Sequence, residues 1–241
     1  MSTDAQAERH RLLNRVVQFV DPQYQAAMTG MVAPTTARVY GVRVPRLREI
    51  ARDWWREHKT ILRDDLLSVV EALWAGGSRE ERQIAIFLLV RYKRWIPDLT
   101  WAHFDRWRRD LDNWETTDGM AQWVFGRWLL ADPDARLHHL RDLIADEDLW
   151  SRRLALVATV WLNRGRKDLS FPDLTLEMVD RVKEERQPMI TKAVSWALRG
   201  LIPKHPQRVA AYLDENRAAL APHAVREVEN KLRTGLKSGK G

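Results

Sequence analysis

The sequence predicts an all-α protein, an α-solenoid built from pairs of helices. Three observations support this prediction: apolar residues recur at helical spacing along nearly the whole chain, short links marked by Pro, Gly or Asp separate the helical segments, and no segment alternates convincingly between apolar and polar residues. The chain has 241 residues, which suits one large domain or two small ones. We expect a single domain over residues 1–241, with a basic, Gly-rich and flexible tail from about residue 231.

Most helical segments begin with a recognisable signal. The first, Arg11–Val20, carries apolar residues at i, i+3 and i+4 spacing. Pro45 begins a second segment, and Ser78 with Glu81 forms a predicted capping box at the start of a third. Further segments begin at Pro133, Pro188 and Pro206.

Four segments with similar patterns repeat along the chain, each as the second helix of a pair. Their polar anchor residues are Gln83, Asp118, Arg153 and Lys192, separated by 35, 35 and 39 residues. A period of this size, built from helical pairs, indicates a HEAT-like solenoid. Equivalent positions in such a stack line one face, so we expect the four anchors to form a column along a concave, basic groove.

The amino-acid composition limits which classes of function are possible for this protein. The chain has 40 Lys+Arg against 33 Asp+Glu, a formal net charge of +7, and 12 Trp residues. The excess of positive charge is compatible with a polyanion partner such as nucleic acid. The absence of cysteine excludes disulfides and thiolate chemistry. The polar N-terminal segment predicts no signal peptide, and the apolar runs are too short to span a bilayer.

Spacings typical of metal sites, nucleotide-binding glycine loops and nucleophile elbows do not occur. The adjacent residues His138 and His139 are expected to point in different directions on a helix. We therefore expect neither a metal nor an organic cofactor.

Each charged anchor has a Trp residue three or four positions away, on the same helical face. The pairs are Asp118 with Trp114, Arg153 with Trp150, and Lys192 with Trp196. A carboxylate between indole faces suits a developing cation, such as the oxocarbenium-like sugar formed when a glycosidic bond breaks. If the leaving base is already cationic, no general acid is needed and one carboxylate is enough.

Each of these residues, taken alone, also has a structural explanation. Asp118 would complement a helix dipole, Trp196 would be a core residue, and Arg153 would be a solvated solenoid side chain. Lys192 would suit a Schiff base only if it were desolvated, so we treat it as a phosphate ligand. The joint pattern is more informative than any of its members.

Four stretches carry a resemblance to a known family. They are YGVRVPRLREIA (Tyr40–Ala51), NWETTDGMA (Asn113–Ala121), DLWSRRLAL (Asp148–Leu156) and ITKAVSWALRGL (Ile190–Leu201). In order and spacing they resemble the AlkD family, the HEAT-like-repeat alkylpurine DNA glycosylases, over nearly the whole chain.

The resemblance implies a repair enzyme that excises cationic N3- and N7-alkylpurines from double-stranded DNA as free bases, without a deep base-flipping pocket. It implies that Trp114 and Asp118 hold the deoxyribose of the damaged nucleotide, with Asp118 as the catalytic carboxylate. Trp196 would form the other wall of the sugar site, and Arg153 would bind a phosphate beside the lesion. We expect such a protein to be a monomer in the cytoplasm of a bacterial-type cell, associated with the nucleoid through its function.

Further residues are candidates for DNA contact. Lys192 and Trp150 belong to this group by their place in the repeats. Three arginines near a predicted helix start are candidate phosphate ligands: Arg43, Arg46 and Arg48. A solvated surface position is the alternative for at least one of them.

The chain departs from the family in one place. The family has a Tyr on an early helix where this chain has Met28-Thr29-Gly30-Met31. Tyr24 and Tyr40 flank that stretch, and neither is clearly equivalent. Because of this departure, the resemblance does not imply a contact with the DNA strand opposite the lesion.

Two other function classes compete with a glycosylase. A non-catalytic HEAT-repeat protein would bind damaged or distorted DNA through its phosphates and release no base. A peptide-binding solenoid would have no affinity for DNA at moderate salt. The acid between two indoles favours the enzyme.

Overall fold

The computed structural model describes residues 3–28, 35–164 and 167–239, and within those ranges the chain contains helices and no β-strand. The all-α prediction is therefore confirmed. The chain divides into two compact units, Met1–Val124 and Phe125–Gly241. The single domain over residues 1–241 remains a prediction.

The first unit is built from helices that pack against one another. They are α1 (Ala5–Val17), α2 (Pro22–Ala27), α3 (Val44–Glu57), α4 (Arg63–Gly76), α5 (Arg79–Arg91), a 3-10 helix (Lys93–Asp98), α6 (Trp101–Arg108) and α7 (Trp114–Met120). Helix α5 is central, because it packs against α3, α4 and α7, while α1 packs against α3 and α4. Every residue of α5 from Arg79 to Leu89 is buried.

A similar arrangement of paired helices makes up the second unit. After a π-helical turn (Ala121–Phe125) come α8 (Gly126–Ala131), α9 (Pro133–Arg136), α10 (His138–Ile144), α11 (Leu149–Arg164), α12 (Pro172–Asp180), α13 (Pro188–Leu201), α14 (Pro206–Asn216) and α15 (Pro222–Thr234). Helices α11, α13 and α15 pack in succession, and α10, α12 and α14 pack alongside them. Within the unit, this is the pairing that a solenoid requires.

Most of the predicted helix starts are confirmed. Pro45 is the second residue of α3, and Pro188 and Pro206 are the first residues of α13 and α14. The capping box is present: the backbone N–H of Glu81 donates to the Ser78 hydroxyl, and the Glu81 carboxylate accepts from the backbone N–H of Ser78, both at 3.2 Å.

Two predicted helices differ from the structure. The first helix runs over Ala5–Val17 rather than Arg11–Val20, because the Asp4 carboxylate caps its N-terminus and the chain leaves the helix after Val17. The helix predicted from Pro133 is divided into α9 and α10 at Leu137, which stands between them.

The C-terminal segment begins as a helix. Helix α15 continues through Thr234 and ends at Gly235, which has a φ of +77°. Beyond it, the Lys237 ammonium lies 3.1 Å from the Glu227 carboxylate. The predicted tail from residue 231 thus starts inside α15, and its flexibility remains a prediction. Of the helices described, none is long and apolar enough to cross a bilayer.

Gly41 allows the loop before α3 to approach α2 closely. Its φ is +85°, and a Cβ there would lie 2.5 Å from the Gln25 Cβ and 2.8 Å from the Asp21 carbonyl oxygen. The carbonyl of Gly41 also accepts a hydrogen bond from the backbone N–H of Asp21 at 3.1 Å. The left-handed backbone conformation and the lack of room for a Cβ therefore both require glycine at position 41.

We expect Gly41→Ala to lower the free energy of unfolding by about 2–4 kcal/mol, because left-handed backbone and steric overlap both penalise the methyl group. Gly235→Ala is the matched control, since Gly235 has a similar φ of +77° and no atom within 4 Å of the added Cβ. Gly235→Ala should lower the free energy of unfolding by only about 1 kcal/mol. Chemical denaturation measures both, and equal losses would contradict the steric argument.

Candidate functional site

The start of α7 is fixed by its own cap. The Asn113 side-chain oxygen accepts from the backbone N–H groups of Glu115 at 3.0 Å and Thr116 at 3.1 Å. The Thr117 hydroxyl donates to the Asn113 carbonyl at 2.7 Å. The two bonds to the Asn113 side chain satisfy N–H groups that a helix start otherwise leaves without partners. They fix the helix turn that carries Trp114.

Asp118 follows Trp114 by four residues on α7, which places both side chains on one face of the helix. Asp118 is 8% exposed, and Trp114 is half-buried. A carboxylate at this depth is shielded from bulk water, and charges act more strongly there than in water.

Trp114 and Tyr24 pack against the same small apolar cluster, formed by Met28 and Val39. The sequence left Tyr24 without a role, and only the fold brings it near Trp114. Of the stretch predicted to depart from the family, Thr29–Met31 lies outside the described residues.

A buried ion-pair network holds Glu115, the residue after Trp114. The Arg79 guanidinium donates to the Glu115 carboxylate at 2.6 Å and to the Glu80 carboxylate at 2.9 Å. It also donates to the Tyr24 hydroxyl at 3.3 Å. Burial alone would lower the pKa of Arg79, but the hydrogen bond to Glu115 and the charges of Glu115 and Glu80 raise it. Arg79 therefore remains charged, and it ties the start of α5 to the first turn of α7.

The Glu80 carboxylate organises the loop before α3. It accepts from the backbone N–H groups of Tyr40, Gly41 and Val42 at 2.9, 3.0 and 3.1 Å.

Burial raises the pKa of Tyr24. The phenol therefore stays protonated at neutral pH.

Asp112 connects the start of α7 to the segment that begins at residue 35. Its carboxylate accepts from the Thr35 hydroxyl at 2.6 Å and from the backbone N–H groups of Thr36 at 2.7 Å and Ala37 at 3.0 Å. Burial alone would raise the pKa of Asp112, but these hydrogen bonds, with one from Asn113, lower it. The carboxylate is therefore ionised at neutral pH, and it holds this segment beside α7.

Trp123 is an aromatic residue near Asp118 that sequence reasoning missed. It lies in the π-helical turn, and a Cβ added to Gly119 would be 3.5 Å from its ring. The Arg48 guanidinium lies over this ring and over that of Phe87, 5.3 Å from each centroid. π-helical turns are often found at functional sites. The turn places the Trp123 ring beside Gly119, and the exposed Arg48 of α3 reaches that ring.

The three predicted phosphate-binding arginines differ in their partners. Arg43 lies 2.9 Å from the Asp21 carboxylate, and Arg46 forms an ion pair with Glu49. Arg48 is exposed and has no acidic partner among the described residues. Of the three, Arg48 is thus the cation best placed to meet an external anion.

In the second unit, the predicted site residues stand on adjacent helices. Arg153, on α11, is only 5% exposed and donates to the Met189 carbonyl at the start of α13. Lys192, on α13, is exposed, and Trp150 and Trp196 are half-buried. Arg153 thus links the two helices, in contrast to the solvated arginine of the structural alternative.

Both histidines of α10 lie close together, contrary to the prediction that they point apart. Their ring centroids are 4.0 Å apart, and the ligand atoms of His138, His139 and Asp142 lie within 4.8 Å of one another. The prediction was wrong: although the two residues are consecutive in α10, their rings meet, and the His139 ring also lies 5.6 Å from that of Trp128. Two imidazoles and a carboxylate suit a borderline divalent cation. Exposed groups of this kind are common without a metal, and we assign none.

Comparison with known proteins gives a consistent result. A family model described as "DNA alkylation repair enzyme" matches residues 13–232. A solved structure described as a predicted DNA alkylation repair enzyme from Enterococcus faecalis superposes with a TM-score of 0.68. The two chains are 20% identical, and the match covers 88% of this chain and 95% of the other. No curated protein matches the sequence.

We expect Arg79→Met to lower the free energy of unfolding by about 3–5 kcal/mol, because it leaves the Glu80 and Glu115 carboxylates without their buried cation. Arg63→Met is the control: Arg63 is exposed and lies 2.9 Å from the Asp64 carboxylate. That change should leave the free energy of unfolding close to that of the unmodified protein, because an exposed ion pair contributes little to stability. Urea denaturation of both variants provides the measurement, and comparable losses would show that the network contributes little.

Proposed function

We propose that this chain, which belongs to the family of DNA alkylation repair enzymes, is a monofunctional DNA glycosylase. It would hydrolyse the N-glycosidic bond of cationic N3- and N7-alkylpurines in duplex DNA, without flipping the base into a deep pocket. The observation that carries the proposal is the Asp118 carboxylate, 8% exposed, one helical turn after the half-buried Trp114.

The reaction requires little help from protein groups around the departing purine base. The bond between C1′ and the purine nitrogen breaks, and its electron pair neutralises the positive charge of the alkylated purine. Because the base leaves as a neutral molecule, no general acid has to protonate it. A water oxygen then forms the new bond to C1′ and releases a proton to Asp118 or to solvent.

Asp118 and Trp114 would act on the sugar. As the bond breaks, positive charge develops on C1′ and the ring oxygen. The carboxylate attracts that charge, and the indole face attracts it through its quadrupole. Both effects are strongest where water is excluded, as it is around a buried carboxylate. The fixed first turn of α7 favours this role, because a preorganised group does not have to move during the reaction.

Residues of the second unit have proposed roles of their own. Trp196 would contact the sugar, and Arg153, Lys192 and Trp150 would bind the DNA backbone. The hydrogen bond from Arg153 to the Met189 carbonyl supports a fixed guanidinium. Arginine matches phosphate geometry through paired N–H donors. Among the arginines before and within α3, Arg48 is the phosphate ligand we favour, with Arg43 and Arg46 as weaker candidates because acids already hold them.

The substrate is double-stranded DNA that contains alkylated bases. Under this proposal the protein acts as a monomer, in the cytoplasm and near the nucleoid, and requires neither metal nor organic cofactor.

Asp118→Asn should reduce the release of 7-methylguanine and 3-methyladenine from methylated duplex DNA by at least about 100-fold, because it removes the charge that stabilises the sugar cation. Binding to undamaged duplex should remain close to that of the unmodified protein. Asp98→Asn removes the same charge at an exposed position of the same unit and should leave release unchanged. Chromatography of the freed bases measures all three proteins.

Each outcome identifies a different function. Release that persists in Asp118→Asn would remove Asp118 from the catalytic role. If the unmodified protein binds duplex DNA and releases no base, the protein is a non-catalytic DNA-binding module. A protein without affinity for DNA at moderate salt would instead support the peptide-binding class.

Arg48→Ala should weaken binding to undamaged duplex and lower the slope of log affinity against log salt by about 1, as expected for one lost phosphate contact. Arg46→Ala is the matched control, because it removes an exposed arginine of the same helix that is already paired with Glu49. Fluorescence anisotropy at several salt concentrations gives both slopes. Equal slopes for the two variants would remove the distinction between these arginines.

A further inference from the structure

A cation-rich pocket at the C-terminal ends of α3 and α5 has no part in the proposed reaction. Its volume is about 340 Å³. The residues that line it are Trp55, Lys59, Arg91, Tyr92, Lys93 and Arg94. The lining thus combines four cations and two aromatic rings with no acidic residue.

Among the residues that the structure describes, no acidic side chain neutralises the four cations of the pocket. Within the described ranges, none of them forms an ion pair with a carboxylate. The acids closest in sequence are engaged elsewhere: Glu57 lies 2.8 Å from Arg15, and Asp98 lies 3.9 Å from Arg63. Most other arginines of this unit have an acidic partner, so the pocket stands out as a concentration of uncompensated positive charge.

Aromatic rings lie beside three of the four cations. The Lys59 ammonium and the Arg91 guanidinium lie 5.7 and 5.8 Å from the centroid of the Trp55 ring. The Arg94 guanidinium lies 4.4 Å from that of Trp95. A cation is attracted to an aromatic face at such distances. This attraction offsets part of the repulsion between the like charges and keeps them together without an anion.

Tyr92 forms the buried floor of the pocket. Its hydroxyl donates to the His58 carbonyl at 2.7 Å, and its ring stacks on Trp95 with centroids 5.3 Å apart. Burial raises the pKa of Tyr92 to about 12. The phenol is therefore neutral at physiological pH, and it adds no negative charge to the pocket.

The pocket is separate from the residues around Asp118. Helix α5 begins at Arg79, which binds the start of α7, and ends at Arg91, which lines the pocket. Twelve residues of α-helix correspond to about 18 Å along the axis. A ligand in the pocket would therefore not compete with one beside α7.

We infer that this pocket binds phosphate groups of the duplex DNA backbone, as a contact additional to those that hold the damaged nucleotide. The inference rests on the proposed function only in taking DNA as the partner. Guanidinium and ammonium groups without acidic neighbours suit phosphate oxygens. A duplex is favoured over a single strand because Lys59 and Arg91 already occupy the Trp55 ring, which leaves it unsuited to stacking with an unpaired base.

The test is the salt dependence of binding to undamaged duplex DNA, measured with the full chain. The test variant carries Arg91→Gln and Arg94→Gln. The control variant carries Arg56→Gln and Arg63→Gln, which remove two exposed arginines of the same unit that lie 3.3 Å from Asp53 and 2.9 Å from Asp64. Both variants lose the same charge, so a general electrostatic effect would change them equally.

We expect the test variant to lower the slope of log affinity against log salt by about 1 to 2, and the control variant to retain the slope of the unmodified protein. A test variant with an unchanged slope would overturn the inference. So would equal changes in both variants, or a change confined to single-stranded DNA. A loss of binding to an acidic peptide with no change on duplex would assign the pocket to a protein partner instead.

Base release separates this inference from the proposed function. If the unmodified protein releases no base and the test variant still lowers the slope, the pocket binds DNA and the glycosylase assignment fails. If bases are released and the slope is unchanged, the glycosylase assignment stands and the pocket has another role.

Discussion

The buried guanidinium of Arg79 is the constraint on which the first unit depends. It joins the carboxylates of Glu80 and Glu115, and through Glu80 it fixes the loop that leads into α3. Removing three charges from water is costly, so such a network persists only when its members satisfy one another. In this network the three charged groups do satisfy one another. As a result, the start of α5, the loop at Gly41 and the first turn of α7 are held in fixed positions.

That arrangement matters because the candidate site lies on a short helix. Helix α7 has only seven residues, and a helix of this length is not stable by itself. Its cap at Asn113 and the ion pair of Glu115 fix one end, and the ring of Trp123 packs against Gly119 near the other. A carboxylate on such a segment can stabilise a developing cation without first being ordered, which is where electrostatic catalysis gains most of its effect.

Arginine plays two different roles in this chain. Some arginines, such as Arg79 and Arg43, are neutralised by acids and serve the structure. Others, such as Arg48 and the pair that lines the pocket at the end of α5, have aromatic rings beside them and no acidic partner in the described part of the chain. The net charge of +7 is the excess of cations over acids in the whole sequence. The uncompensated arginines offer more charge to an external polyanion than the paired ones do.

The helical class, the paired helices and most helix starts could be predicted from the amino-acid sequence, because apolar spacing and capping signals are local properties. The sequence also identified Asp118 and Trp114 as a pair, since residues four apart share a face of one helix. It could not place Tyr24 beside Trp114, bury Arg79, or bring His138 and His139 together. Those outcomes depend on contacts between residues distant in sequence, or on the local path of the backbone. Which charges are neutralised became visible only in the folded protein, because an ion pair across 36 residues leaves no periodic pattern in the sequence.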